Sequence, residues 1–165
     1  MGCCVNTLTF FFTNGRGNDI QQVYDWIYSC LLHRAYLDGS LYYTVEMFLY
    51  RLSRFIYKVP EVRPRLVPLF KERITERFGL AGDATILAMR LIAAAVVGLD
   101  SPVDYDRLLE LQETNGSWTG YFYGFLRTGM LVGNNGFSTA VAINAIEGMR
   151  QLRLTGQPAN FRAWD

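Results

Sequence analysis

Leu108-Leu109-Glu110-Leu111-Gln112-Glu113-Thr114-Asn115-Gly116-Ser117-Trp118 is the stretch from which the fold is read. It sets a glutamine at the end of a helix, a glycine four residues on and a tryptophan two after that. A glutamine carboxamide there can bond backbone groups that the ending helix leaves open. Glycine permits the tight turn, and a tryptophan beyond it can pack over a neighbouring helix end while its indole N–H finds an acceptor. Gln112, Gly116 and Trp118 are therefore expected to form a clasp between two helices.

The sequence around this stretch is helical throughout. Upstream, Ser101-Pro102-Val103-Asp104 reads as a capping box with proline at the first helical position, opening a helix that runs to about Gln112. Before it, Asp83 caps an alanine-rich helix whose apolar run, 86–97, is broken only by Arg90 and is expected on an inner ring. Pro60, Pro64 and Pro68 argue against helix between them. The fourth helix is then expected from about Pro68 to Gly79, lying outside with Lys71-Glu72-Arg73 and Glu76-Arg77 solvated. The third, 43–58, turns Met47, Tyr50, Leu52 and Phe55 inward. Asn18 caps the second, with Val23, Ile27, Cys30 and Leu31 on one face, and the first, 5–12, stops at Asn14-Gly15. Downstream of Trp118 a glycine- and aromatic-rich loop leads to a last helix, 139–152, capped by Ser138 and buried through Val141, Ala145, Ile146 and Met149. Gly156 and Pro158 end it. Charged outer helices alternating with apolar inner ones predict an all-α partial α/α barrel, a toroid of helical hairpins. It would hold six to eight helices and almost no strand, as one module over 1–153 with a loose tail over 154–165.

A faint internal repeat supports hairpins. Gly39-Ser40, Leu31-Leu32 and Phe48-Leu49 match Gly116-Ser117, Leu108-Leu109 and Phe125-Leu126 at one constant offset. Units of this kind bury their faces by stacking. Sixteen basic residues face 15 acidic ones without a basic block, which argues against nucleic acid as a partner. Half the residues are hydrophobic and only 19% charged, so either the interior is unusually large for the length or apolar surface awaits a ligand or partner. Cys3, Cys4 and Cys30 have neither metal spacing nor an even number for disulfides, and no run approaches the roughly 20 apolar residues of a membrane span. A cytoplasmic protein without a transmembrane segment is the expectation. Lipidation at Gly2, Cys3 and Cys4 is a weaker alternative to a plain apolar helix.

The Gln112–Gly116–Trp118 unit resembles the Q-x-x-x-G-x-W (QW) repeat of the terpenoid cyclases, which ties together outer helices of α/α barrels. More widely, 6–12, Gly15-Arg16-Gly17, 31–39, Phe70-Lys71-Glu72-Arg73, Gly82-Asp83-Ala84 and 133–146 look like the fungal drimane-type sesquiterpene cyclases. There a cyclase β domain is fused to a haloacid-dehalogenase-like phosphatase domain. The resemblance covers nearly the whole chain and corresponds to the C-terminal part of that β domain. It implies class II chemistry: protonation of the terminal alkene of farnesyl diphosphate, then cyclisation through carbocations. Mg²⁺ is implied for the complete family enzyme.

Departures from the family decide what this chain is expected to do. The family's D-x-D-T-T acid has no counterpart here, since Asp104-Tyr105-Asp106 is followed by Arg107-Leu108. The capping box accounts for Asp104. No D-D-x-x-D stretch offers a metal cluster, and Asn135-Gly136-Phe137-Ser138 is followed by Ala142 where an acidic ligand is needed. No residue is therefore assigned a catalytic or metal-binding role. Tyr42, Tyr43, Trp118, Tyr121, Tyr123 and Phe125 are the candidates for a substrate pocket, because aromatic faces stabilise cations; Phe122 clusters with them, and ordinary packing is the competing account of each. His33 reads as a helix-end residue and Arg16 as a solvated turn arginine. The resulting expectation is a cyclase segment inactive alone, whose partners are the missing barrel half, a phosphatase-like domain or a second copy. The rival is a non-enzymatic helical module that binds a hydrophobic ligand or protein partner.

Overall fold

The computed structural model describes residues 1–38, 43–125 and 130–161, with the backbone alone at 38 and 122–125. Among these, seven α-helices follow one another: α1 (Gly2–Thr13), α2 (Gln21–Leu32), α3 (Val45–Lys58), α4 (Arg63–Thr75), α5 (Ala84–Val96), α6 (Pro102–Glu110) and α7 (Asn135–Thr155). One antiparallel hairpin, β1 (Tyr121–Phe125) and β2 (Met130–Gly133), interrupts them. The fold is all-α, consistent with a terpenoid-cyclase-like arrangement. Helices α1, α3, α5 and α7 pack successively side by side, while α2 and α4 pair with each other and α4 and α6 lie against α5. This alternation is the hairpin pattern anticipated from the charges.

Helix α5 is the centre. From Leu87 to Val97 it is buried on every side, and only Ile86 of the expected inner run is partly exposed. Ala93, Ala94 and Ala95 are fully buried, as are Ala142 and Ala145 of α7. Side chains this small carry little rotamer entropy and let helix axes approach closely. The apolar mass comes from the flanks, where Leu49, Leu52, Phe55, Leu66, Phe70, Ile74 and Met149 are enclosed. Each such side chain contributes roughly 1.5–3 kcal/mol by leaving water.

Several local expectations give way to tertiary structure. Helix α4 begins at Arg63, not Pro68, and ends at Thr75. Pro64 sits in its first turn, where no N–H is required, and Pro68 lies inside it. Only the bond at Pro68 is lost, and burial of Leu66, Leu69, Phe70 and Ile74 outweighs it. Arg73, expected in solvent, is 5% exposed because its Nε donates to the Leu31 carbonyl and its head pairs with Glu76 and Glu72. Asn18 lies in a 3-10 turn, Gly17–Ile20, so α2 starts later than expected. Helix α7 starts at Asn135, and Asn134 caps it by accepting from Phe137 N at 3.0 Å. Ser138 is one turn further in and buried, its hydroxyl 2.7 Å from Thr85 Oγ1 and donating to Gly120 O.

The loop after Trp118 contains the hairpin, with Tyr121 opposite Gly133, Tyr123 opposite Val132 and Phe125 opposite Met130. Its aromatics recur every second residue, the strand period. Gly120 is needed because a Cβ there would lie 2.3 Å from Thr85 Oγ1, so the hairpin root presses directly on the start of α5. Asp83 joins the two: one carboxylate oxygen caps Ile86 N at 3.0 Å and the other accepts from Tyr121 N at 3.1 Å. At the far end Gly156 takes φ +66° and ends α7 as expected. Beyond it Ala159 N donates to Ala95 O at 2.9 Å and Phe161 packs edge-on to Tyr57, while the end of the tail, 162–165, lies outside the described residues.

Leu31 and Leu108, equivalent in the repeat, are both fully buried, and their neighbours Leu32 and Leu109 are 41% and 42% exposed. The repeat therefore holds between α2 and α6. It fails at its third element, where Phe48 lies in α3 and Phe125 in β1. Gly39-Ser40 lies outside the described residues.

Candidate functional site

The clasp is built by the end of α6. Gln112 follows that helix, and its carboxamide nitrogen donates to Gly116 O at 3.0 Å. Gly116 N donates to Glu113 O, Glu113 N to Ser117 O, and Gly116 has φ +84°, the left-handed region that favours glycine. This turn lays Trp118 back across α6, where Nε1 donates to Leu108 O at 2.8 Å. Its backbone N–H donates to Thr139 Oγ1 of α7 at 3.1 Å. Trp118 thus joins α6 to α7 at 3% exposure. Thr139 gave no sign of this role in the sequence, because the partner is 21 residues away.

The other aromatic candidates are dispersed. Tyr43 is half-buried next to α3, with the Arg51 guanidinium 4.7 Å above its ring. It borders a cavity of only about 20 Å³ with Tyr36, Met47 and Phe48, room for a water molecule rather than a substrate. Tyr121 is 39% exposed on the hairpin. Tyr123 and Phe125 are placed by their backbone in β1, and Tyr42 lies outside the described residues. Two residues separate Trp118 from Tyr121 at the start of β1, whereas Tyr43 lies beside α3.

A buried charge network stands where sequence suggested only a helix cap. Arg90 is fully buried in α5. Its Nη1 donates to Asp104 Oδ1 at 2.8 Å and to Leu80 O at 2.9 Å, and its Nη2 donates to Glu46 Oε1 at 3.1 Å. Arg77 donates to the same Glu46 oxygen through Nε and Nη2. Asp104 also accepts from Gly79 N at 3.1 Å and from Ser101 Oγ at 2.8 Å. The Ser101 hydroxyl therefore does not cap α6; it is turned into the network. Asp104 is 1% exposed while Asp106 faces solvent, so the two carboxylates of Asp104-Tyr105-Asp106 do not share a site. Both Asp104 carboxylate oxygens are thus occupied by donors of the protein itself.

Among the described residues no three His, Cys, Asp or Glu side chains converge, so these residues do not form a metal-binding set. His33 follows the last turn of α2, and Arg16 is exposed and pairs with Asp19 at 2.8 Å, both as read from the sequence. Cys3 is exposed, Cys4 partly so, and Cys30 is buried, its thiol pushed up by desolvation and therefore unreactive. Gly2 lies under Arg51 in α1. Among the described residues no helix is long and apolar enough to cross a membrane.

Similarity to a curated protein supports a terpene cyclase-related segment. The chain is 36% identical over 149 residues, 88% of its length, to drimenol cyclase drtB of Aspergillus calidoustus. It spans 28% of that relative's length. No family model and no solved structure matches the chain.

Proposed function

We propose that this chain is the C-terminal part of a class II sesquiterpene cyclase β domain, supplying wall and helix clasp to a cavity completed by other elements. The observation that carries this reading is the identity to a drimenol cyclase across 149 residues, joined to a helical array of the matching kind. In this reading the hairpin aromatics, Tyr121, Tyr123 and Phe125 with Trp118 behind them, border the carbocation path, and the Gln112–Gly116–Trp118 clasp acts as a QW unit. The isolated chain does not cyclise farnesyl diphosphate. Protonating an alkene needs a positioned, neutral carboxylic acid in a dry cavity. Asp104 is instead committed to Arg90, Ser101 and Gly79.

The test incubates the purified chain with Mg²⁺ and farnesyl diphosphate, alone and with the N-terminal remainder of the related cyclase supplied in trans. Products are dephosphorylated and analysed by gas chromatography–mass spectrometry. A drimane alcohol only in the mixture is expected. The same product from the chain alone, lost in Asp104→Asn or Asp106→Asn, overturns the assignment.

A further inference from the structure

A groove of about 1020 Å³ opens where the C-terminal ends of α3 and α5 meet the N-terminal half of α4. Its size is at the upper end of small-molecule sites, which span roughly 300–1,000 Å³. The floor is apolar, made by Ile56, Val67 and Val97, and Pro158 and Ala159 close one side. Three cations border it, Lys58, Arg63 and Lys71, and no lining residue is acidic. Arg63 is held in place by donating from Nε to Ile56 O at 3.0 Å and from Nη2 to Tyr57 O at 2.7 Å. Lys58 and Lys71 make no ion pair among the described residues. Several surface arginines elsewhere are matched, Arg65 by Asp25, Arg34 by Glu76, Arg150 by Glu147 and Arg153 by Asp100. Val67 and Lys71 are one helical turn apart on α4, so the apolar floor and a cation share one face.

An uncompensated positive rim above an apolar floor is complementary to a ligand with one anionic end and one apolar chain. We propose that this groove binds a single-chain amphiphile with a phosphate or carboxylate head, the head between Lys58 and Lys71 and the chain along Val67 and Val97. A neutral chain would leave the cations unused, and a free anion would leave the floor wet. The groove is formed by α3, α4 and α5 and does not use Trp118 or the hairpin. Binding is measured on the chain without turnover, so its failure leaves the cyclase reading standing, and the reverse holds too.

The experiment is isothermal titration calorimetry of the whole chain with dodecyl phosphate and with laurate, each below its micellar concentration. Dodecanol, inorganic phosphate and anionic phosphatidylglycerol vesicles are the comparison probes. Saturable one-to-one binding of either amphiphile is expected, and the tighter of the two identifies the head. Lys58→Met and Lys71→Met should each weaken it about ten-fold, the size of one charge-assisted contact. Lys71→Arg should retain it, and Val67→Trp should block it with an unchanged circular dichroism spectrum. Dodecanol binding as tightly, indifference to both lysine substitutions, or association with vesicles alone would overturn the proposal.

Discussion

Trp118 and Arg90 each tie helices together. Trp118 is enclosed and bonded through both its indole and its backbone N–H. Trp118→Ala should cost about 3–5 kcal/mol, read by urea denaturation, as large aromatic truncations in cores do. Trp118→Phe keeps most of the apolar area but strands the Leu108 carbonyl, so a smaller loss of about 1–3 kcal/mol is expected. Equal losses for the two variants would show that the indole bond dominates the packing. Arg90 gathers Glu46, Asp104 and the Leu80 carbonyl, tying α3, α6 and the 76–83 turn to α5. Its Nε has no hydrogen-bond partner among the described residues, so the network is incompletely satisfied there. Removing the opposing charge from a buried cation is costly, and Asp104→Asn should destabilise by about 3–5 kcal/mol. A denaturation midpoint unchanged by that substitution would mean that the Arg90–Asp104 pair adds nothing to stability.

At the scale of elements, α4 carries the clearest prediction. Pro68 is exposed and sits inside the helix, where a residue with an N–H would bond the carbonyl four residues back. Pro68→Ala restores that bond and removes the ring clash, opposed by greater freedom in the unfolded chain. A net gain of about 1–2 kcal/mol is expected, seen as a raised melting temperature. A lowered one would show that the ring packs usefully against the groove. Helix α4 was misplaced from sequence because three prolines outweigh anything else in a local reading, whereas four buried apolar side chains outweigh them in the fold. Ser101 and Ser138 failed as caps for a related reason. Each is a good cap chemically, yet Ser101 turns to Asp104, which the distant Arg90 holds, and Ser138 meets Thr85, 53 residues away.

Over the whole molecule, ion pairs link elements distant in sequence, and acid should loosen them. Arg34 hydrogen-bonds Glu76 and holds its carboxyl below the usual value, with Arg73 adding to the effect. A carboxylate whose pKa is lowered on folding contributes stability above its unfolded pKa and loses it as pH falls through the folded one. The melting temperature should therefore drop as pH falls below about 4.5, and Glu76→Gln should flatten part of that slope. Glu147 is lowered too, by Arg150, but solvent screens that exposed pair, so Glu147→Gln should change the slope less. Identical slopes in all three proteins would remove Glu76 from the account.

The amino-acid sequence by itself determined the all-helical class, the buried α5, the Asp83 and Gly156 helix ends and the Gln112–Gly116–Trp118 turn. These follow from periodicity, caps and positive-φ glycines, whose physics acts within a few residues. It also carried the family resemblance, since the relative's matching segment is spread over the length of the chain. Tertiary structure alone decided where α4 starts, that the aromatic loop pairs as a hairpin against Gly120 and Thr85, and that Asp104 serves Arg90 rather than its own helix. It alone brought Lys58 and Lys71 to one groove. The hairpin root and the Asp104 network depend on groups 10 to 53 residues apart meeting in the interior, where an unpaired polar group costs more than a local preference gains. Helix α4 depends on apolar burial that no local window shows.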